Sequence, residues 1–463
     1  LAVFATTESV VRRGEADMNQ LLWMDNQQGN IGHDGNLYSR KGLGMTLLAA
    51  PFVWLALVWQ RLGLVETALL LNPILTAATA ALIYRTGIRL RWERAPAIAT
   101  ALLFGLATLA WPYTQEFFSE PASAFGLFGA FYGLLSFMQS GRKRYLALGG
   151  LAWGLAYLSR NVNLITLPVY VVALWLVLDR HIRRTRGNSI GWQETLRQEW
   201  RPLISFLIPV VAAGLISLWW NWFRFGNIFD SGYVESESFS GNWLQGLFGL
   251  TVGPARGILW YNPILLLAIP GAVWFWRHAR RILWIVLAIS LLYVVVYAKW
   301  YMWHGGYAWG PRFLVPILPF LALLVGPAWE RAVLRRRWGM AGAVAVALLA
   351  LLSIAVQWLG MIVPYGLVQE WLAAEVQPLF APETFLQLRY SPLVLQWQFL
   401  TSENVVFAWW RTAANGAWRI DWVALMMPLL GAAVGAFLLW RQGRWQMPYA
   451  NKPALSAEAR ARD

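Results

Sequence analysis

The amino-acid sequence predicts an all-α protein that crosses a membrane many times. Of the 463 residues, 58% are hydrophobic and only 13% are charged, whereas soluble domains carry about 25% charged residues. Long apolar runs also recur along the chain, and about 20 apolar residues suffice for a helix to cross the hydrocarbon core. We therefore expect a polytopic helical bundle in which about 11 segments of this chain cross the membrane.

Two apolar segments depart from the simple pattern. The segment 145–158 is short, which predicts a broken or tilted helix. The segment 43–60 is apolar, but a full crossing there would reverse the charge pattern of every later loop. We expect an interfacial or re-entrant helix on the outer face, interrupted by Pro51. The predicted spans are 64–84, 96–113, 121–139, 145–158, 162–178, 202–222, 257–276, 282–298, 312–328, 339–361 and 422–440.

The charges of the loops indicate which side of the membrane each loop faces. Alternate loops are strongly basic, and by the positive-inside rule they are cytoplasmic. The net charge of +15 is therefore a topology signal, and we expect no nucleic-acid partner. The sequence contains no cysteine, which excludes disulfides and thiolate metal sites. The basic segments are 85–94, 141–144, 179–201, 277–281, 330–337 and the C-terminal tail.

The remaining loops are rich in acidic, aromatic and glycine residues and are expected outside the cytoplasm. The protein is thus predicted to be a multi-pass protein of the plasma (inner) membrane with an outward-facing site and a cytoplasmic C-terminus. No internal repeat is evident in the sequence, which weakens the hypothesis of a transporter built from inverted repeats. The predicted organisation is an outer first loop with juxtamembrane helices (1–63), a transmembrane module (64–338) with outer loops 111–121, 223–256 and 299–312, and C-terminal helices (339–463) with outer loop 362–421.

Five motifs lie in these outer segments: DGNLYSRKGLGMTLLAAPF, WPYTQEFFSEP, WNWFRFGNIFDSGY, ARGILWYNP and WHGGYAWGPRFLVPILPF. Together they resemble bacterial polyprenyl-phosphate-dependent glycosyltransferases of the GT-C superfold, whose wider relatives are the protein O-mannosyltransferases (family 39-like) and the lipid A aminoarabinose transferases. The resemblance covers most of residues 1–330. It implies an inverting reaction in which an acceptor hydroxyl of a lipid, glycan or protein attacks a sugar carried on polyprenyl phosphate. It also implies that one more transmembrane helix precedes this chain.

Such a reaction needs cations to hold the leaving phosphate. The resemblance implies that Lys41 contacts the lipid phosphate and that Tyr38 is a stacking or hydroxyl partner. Lys41 precedes a predicted helix, whose free N–H groups favour an anion, and Gly42 and Gly44 would let a phosphate approach the backbone. The alternative for Lys41 is a lysine that snorkels at the membrane interface. Arg40 is interpreted as an interfacial charge.

The reaction also needs a carboxylate to take the hydroxyl proton. In the family this is an aspartate, often in an Asp-Glu pair, and the resemblance places that pair directly before Leu1. Glu8 is the nearest carboxylate in this chain, and its alternative is a solvated charge on a juxtamembrane helix. Glu120 is the second catalytic candidate, ahead of Glu116. Both are acids near an apolar boundary, which are costly unless paired or functional, and the resemblance implies an acidic residue here, close to the site. The alternative for Glu120 is a helix start capped by Ser119.

Four further residues are predicted substrate contacts. Arg160 lies at the outer end of the short span, where it reaches a phosphate or snorkels. His304 and Arg312 are candidate phosphate or sugar contacts, and Trp309 is a candidate for stacking on a sugar ring. A lone histidine in an interfacial loop is, however, more often structural.

No cofactor is assigned from the sequence. The acidic residues of 223–256 are compatible with a divalent cation, but a solvated acidic loop is the simpler interpretation, and no metal ligands are predicted. Two alternatives to the glycosyltransferase remain open at this point. One is a transporter or flippase of lipid-linked sugars, and the other is a non-catalytic membrane scaffold. The expected partners are a polyprenyl-phosphate-linked sugar, an acceptor and the membrane.

Overall fold

The computed structural model describes residues 1–27, 29–59, 61–186, 199–401, 403–405, 410–412 and 418–420, with scattered residues between 422 and 437. The chain forms two compact units, 1–400 and 401–463. The predicted span 422–440 and the C-terminal tail lie mostly outside the described residues. In the second unit, β3 (Trp410–Thr412) pairs antiparallel with β4 (Trp418–Ile420).

The first unit is helical apart from one short antiparallel hairpin of β1 (Gly29–Ile31) and β2 (Leu37–Ser39). Six segments are 3₁₀ turns (Asn19–Gln27, Pro112–Thr114, Asn161–Thr166, Pro263–Leu267, Arg312–Ile317 and Leu388–Tyr390), and Glu330–Leu334 is a π-turn. The α-helices are α1 Ala2–Arg13, α2 Gly44–Val58, α3 Leu64–Leu69, α4 Leu71–Arg89, α5 Arg94–Leu106, α6 Glu120–Ser140, α7 Arg144–Ser159, α8 Leu167–Arg186, α9 Trp200–Phe225, α10 Trp243–Thr251, α11 Ile258–Tyr261, α12 Ala268–His278, α13 Arg280–Lys299, α14 Leu318–Trp329, α15 Gly339–Ile362, α16 Tyr365–Glu375, α17 Glu383–Leu386 and α18 Pro392–Gln398.

The protein is an all-α polytopic membrane protein, as predicted. Among the described residues, seven helical segments are long and apolar enough to cross a membrane, fewer than the eleven predicted. The short span 145–158 is the 16-residue α7, and 96–113 is shortened because α5 ends at Leu106. The span 257–276 is divided around Asn262 and Pro263, since proline lacks the N–H that would continue a helix.

The prediction that Pro51 interrupts the segment 43–60 is wrong. Helix α2 is continuous from Gly44 to Val58 and contains Pro51 in its interior. Pro51 is exposed, so its ring points away from the helix bundle. With 15 residues, α2 is shorter than the run of about 20 that crosses the hydrocarbon core.

Small residues allow α6 and α7 to pack with their backbones in close contact. A Cβ atom added at Gly126 would lie 2.5 Å from the carbonyl oxygen of Ala152, and one at Gly133 would lie 2.6 Å from that of Tyr145. Close approach at small residues is a usual way for membrane helices to associate. Because these two helices are antiparallel neighbours, the start of α6 lies beside the end of α7.

The predicted outer and inner loops lie at opposite ends of α6. At its first turn, Glu120 contacts Arg160. Near its last turn, Gln139 accepts a 3.0 Å hydrogen bond from Arg89, which belongs to a basic loop. The basic segment that carries Arg89 therefore lies at the end of α6 away from Glu120.

Candidate functional site

The centre of the candidate site is a buried carboxylate held by two arginines. Glu120 is the first residue of α6 and is 1% exposed. Arg160, directly after α7, donates a hydrogen bond to its Oε1 atom. The Nε atom of Arg312 lies 3.1 Å from the same oxygen, without the alignment of a hydrogen bond. Two cations on one carboxylate leave a surplus of positive charge.

Aromatic rings fix the two guanidinium groups. The Tyr297 hydroxyl accepts a 2.8 Å hydrogen bond from Arg160, and the Tyr297 ring stacks on Phe313 with 4.4 Å between centroids. The guanidinium of Arg160 lies 5.1 Å from the centre of the Phe313 ring, and that of Arg312 lies 4.7 Å from Phe118. Planar guanidinium groups stack well on aromatic faces, so the orientation of both cations is determined by packing.

Lys41 brings a third cation towards this cluster from the loop that precedes α2. Its ammonium donates a 3.1 Å hydrogen bond to the Tyr233 hydroxyl and lies 5.4 Å from the centre of that ring. The Lys41 charge lowers the pKa of the Tyr233 phenol, against the effect of burial. Lys41 also acts electrostatically on Glu120. We name Lys41, Glu120, Arg160 and Arg312 the charge cluster.

Arg40 is not part of the charge cluster. It forms an ion pair with Glu237, whose other carboxylate oxygen accepts a 3.1 Å hydrogen bond from Tyr301. These contacts tie the first outer loop to the loop 223–256. In the described part of the chain, no group of three or more histidine or acidic residues is placed to hold a metal ion.

Glu116 lies at the edge of the charge cluster. Asn72 holds the loop before α6 by donating hydrogen bonds to the backbone carbonyls of Glu116 and Phe118. Surrounding protein atoms displace water and raise the pKa of the Glu116 carboxyl, although Arg312 opposes this effect. The ring of Phe4 in α1 packs edge-on against Phe117, with 6.1 Å between the centroids, so the start of α1 is close to the loop that carries Glu116.

The other two outer-loop candidates, His304 and Trp309, are placed in aromatic packing. His304 is 6% exposed, and its ring lies 4.5 Å from the rings of Phe380 and Phe385. Its Nδ1 atom accepts a 3.1 Å hydrogen bond from the backbone N–H of Gly306. Trp309 is 5% exposed and packs edge-on against Tyr261 at 4.9 Å, which leaves no free face for a sugar ring.

Two candidates in the first outer segment also have partners away from the charge cluster. Tyr38 donates a 2.8 Å hydrogen bond to Asp34; burial and this carboxylate raise the pKa of Tyr38 to about 12. The Tyr38 ring packs edge-on against Phe223. Glu8 forms a 3.0 Å ion pair with Arg12, one turn along α1. The Tyr38 contact is typical of a structural residue, and the Glu8 ion pair is typical of a helix surface.

The glycines beside Lys41 serve backbone packing. A Cβ atom at Gly42 would lie 2.0 Å from the carbonyl oxygen of Leu158, and one at Gly44 would lie 2.6 Å from the backbone nitrogen of Ser159. The space beside both glycines is therefore occupied by the end of α7, not open to a phosphate. This contact holds the first loop next to Arg160.

The sequence did not single out two buried arginines that support the loops around the site. Arg224 and Arg256 are each 1% exposed, and each donates hydrogen bonds to backbone carbonyls of an outer loop. Arg256 donates to Gly306 at 3.0 Å and to the Tyr365 hydroxyl at 2.7 Å, and thus supports the loop that carries Arg312. The feature of the sequence that could have indicated them is an arginine within an apolar motif: Arg224 in FRFGN and Arg256 in ARGILW.

Burial of His304 predicts a pH-dependent stability. Burial, with Arg256 and Arg312 nearby, lowers the pKa of His304 from 6.5 to about 3. The unfolded chain therefore binds a proton at higher pH than the folded chain, so His304 destabilises the fold as pH falls from about 6.5 towards 3. Between pH 7 and pH 5 we expect a loss of about 2 kcal/mol.

Thermal unfolding in detergent at both pH values measures this effect. His304→Gln keeps an acceptor for the Gly306 N–H but cannot titrate, so its melting temperature should fall less between pH 7 and pH 5. An equal fall in both proteins would contradict burial of a neutral imidazole.

Comparisons with known proteins give only a remote structural similarity. No family model and no curated protein matches the chain. Among solved structures, it is similar to the archaeal oligosaccharyltransferase AglB from Archaeoglobus fulgidus, in complex with an inhibitory peptide and a dolichol-phosphate. The identity is 13% and the TM-score is 0.40, over 85% of this chain and 56% of that chain. The chain thus spans little more than half the length of AglB.

Proposed function

We propose that this protein is an integral-membrane, inverting glycosyltransferase of the GT-C superfold. It moves a sugar from a polyprenyl-phosphate donor to an acceptor hydroxyl of a lipid, glycan or protein at the outer face of the plasma membrane. The observation that carries the proposal is the convergence of Lys41, Arg160 and Arg312 around Glu120. Residues from four separate segments contribute to this site, at the end of α6 away from the basic segment that carries Arg89.

The charge of the cluster suits a lipid-linked phosphate. Two arginines hold one buried carboxylate and Lys41 adds a third cation beside Tyr233, so an added anion reduces the surplus of positive charge. Preorganised cations also stabilise negative charge that develops on a leaving group. Helix α2 begins three residues after Lys41 and exposes Leu47 and Trp54. This apolar surface supplies a path for the polyprenyl chain, directly beside the position of its phosphate.

The acceptor proton requires a carboxylate that is not already neutralised by cations. Glu120 is held by two arginines and is a weak base, so we assign it to positioning Arg160 and Arg312. Glu116 has a raised pKa and is the stronger base of the two. In the proposed step, the acceptor hydroxyl gives its proton to Glu116 while its oxygen bonds to the anomeric carbon. The bond from that carbon to the phosphate oxygen breaks, and its electron pair remains on the phosphate.

Glu116→Gln tests this assignment. The rate of transfer should fall by roughly 10²- to 10⁴-fold, the usual contribution of a general base, while binding of polyprenyl phosphate is kept. Glu116→Asp should retain part of the rate because it keeps a carboxylate. The measurement is single-turnover formation of polyprenyl phosphate from a lipid-linked sugar. An unaffected rate in Glu116→Gln would place the base elsewhere.

Transfer and transport are separated by one experiment. The full chain is reconstituted into liposomes with a synthetic polyprenyl-phosphate sugar and membrane lipids as acceptors. A glycosyltransferase releases polyprenyl phosphate and forms a new glycosidic bond, both visible by mass spectrometry. Movement of the labelled lipid between leaflets without a covalent product would instead identify a flippase. If the protein shows neither transfer nor movement of the lipid, the scaffold hypothesis is favoured.

A further inference from the structure

Arg224 is a buried cation whose described hydrogen bonds all go to uncharged oxygen atoms. It lies in the last turn of α9. Its Nε atom donates to the Trp220 carbonyl at 3.0 Å, and Nη2 donates to the Asn221 side-chain oxygen at 2.9 Å. Its Nη1 atom donates to the backbone carbonyls of Ser39 and, at 3.3 Å, of Lys41. Burying a charge in this way is costly, so the arrangement calls for a reason.

The backbone at Lys41 is held from two sides. The Lys41 carbonyl accepts a second hydrogen bond, at 3.4 Å, from the indole N–H of Trp220. On the other side, Gly42 contacts the carbonyl of Leu158. The end of α9 and the end of α7 thus fix the position from which the Lys41 side chain starts. A flexible four-carbon side chain gains most from such a fixed start, because its ammonium has many other conformations.

We propose that Arg224 is a positioning residue for Lys41. It holds the backbone from Ser39 to Lys41 so that the Lys41 ammonium remains beside Tyr233. It does this without contacting the donor itself. The geometric part of the proposal stands on the contacts above, and its consequence for donor binding rests on the proposed function.

Direct binding of phosphate by Arg224 does not fit its surroundings. A guanidinium has five N–H donors, and four hydrogen bonds from Arg224 already go to protein oxygens. Its side chain is 1% exposed, so no face is open to a ligand. The rings of Trp220 and Phe225 each lie 4.9 Å from its guanidinium carbon and enclose it further.

Arg256 provides a matched control. It is equally buried, and it also donates to backbone carbonyls of an outer loop, but those carbonyls belong to Gly306, Ala308 and Gly310. Replacing either arginine by methionine removes one buried guanidinium of the same size. Only the replacement of Arg224 removes contacts to the backbone at Lys41.

The first experiment measures order at position 41 and does not depend on any lipid. The chain contains no cysteine, so Lys41→Cys introduces a single site for a nitroxide spin label in the detergent-solubilised full chain. Arg224→Met should increase the mobile fraction of the label spectrum, whereas Arg256→Met should leave it unchanged. Arg224→Lys can reach one of the two carbonyls but not both, so it should give an intermediate spectrum. If Arg224→Met does not fold, Arg224→Lys replaces it in this comparison. Equal spectra for Arg224→Met and Arg256→Met would overturn the proposal.

The second experiment measures the consequence for the donor site. Binding of polyprenyl phosphate in nanodiscs is compared in a double-mutant cycle of Arg224→Met and Lys41→Met. Arg224→Met should weaken binding about tenfold when Lys41 is present and have no further effect when Lys41 is absent, since residues in one network are coupled. Additive losses would mean that Arg224 binds the phosphate itself and would overturn the proposal. If the wild-type chain binds no polyprenyl phosphate, the proposed function fails, and the label spectra still decide the positioning role.

Discussion

Lys41→Met should lower the rate of sugar transfer by about 10²- to 10³-fold, the range found when one preorganised donor to a developing anion is removed. In free energy this is roughly 2–4 kcal/mol in the transition state. The reason is that Lys41 is the most exposed of the three cations in the charge cluster. Among the described residues, its ammonium has only the Tyr233 phenol as a hydrogen-bonding partner. A phosphate can therefore replace Tyr233 without breaking an ion pair.

The measurement separates binding from chemistry. If the ammonium stabilises the leaving phosphate, kcat for the lipid-linked sugar falls more than KM rises. Arg61→Met is the matched control, because Arg61 is an exposed cation just past the other end of α2. It should leave kcat unchanged. A Lys41→Met protein that transfers sugar at the wild-type rate would remove Lys41 from the site.

Glu120→Gln should destabilise the folded protein by roughly 3–5 kcal/mol, the usual cost of breaking a buried ion pair by removing one partner. Arg160 and Arg312 both lose their carboxylate, and their side chains are only 16% and 18% exposed. Repulsion between the two guanidinium groups would then no longer be offset. The Tyr297 hydroxyl remains as a neutral partner for Arg160 but cannot balance its charge.

Thermal unfolding in detergent provides the measurement, and it includes one control variant and one double variant. Glu93→Gln removes a carboxylate from an exposed ion pair with Arg335, whose atoms lie 3.5 Å apart, and should change stability by no more than about 0.5 kcal/mol. The double variant of Glu120→Gln and Arg160→Met should recover part of the lost stability, because it removes one unpaired cation. If Glu120→Gln melts like the wild type, the arginines do not depend on Glu120.

The helices were predictable because hydropathy is a local property. Every predicted span of full length in the described chain corresponds to a long apolar helix, except where α5 ends early and where Asn262 and Pro263 divide one span. At Pro51 the prediction was wrong in the opposite sense: a break was expected, but α2 is continuous. A proline indicates the loss of one N–H, but only packing decides whether the helix continues past it.

The candidate site was predictable in part, for a related reason. Lys41, Glu120, Arg160 and Arg312 stand out in the sequence as charges at apolar boundaries. In the structure Glu120 pairs with both arginines, and Lys41 acts on Glu120 electrostatically. His304 and Trp309 occupy the same kind of loop but are buried in aromatic packing. Polarity near an apolar boundary therefore indicates that a residue needs a partner, and it does not indicate whether that partner is protein or ligand.

The sequence by itself determined that this is an all-α membrane protein, because a helix is the structure in which an apolar segment satisfies its own backbone groups within lipid. It also determined which loops carry the polar chemistry and which are basic. Only the tertiary structure decided that positions 41, 120, 160 and 312 share one charge cluster, and that Arg224 supports Lys41 from below the surface. The reason is that these contacts depend on how α6, α7 and α9 pack, and close packing at Gly126, Gly133 and Gly42 is a property of pairs of segments.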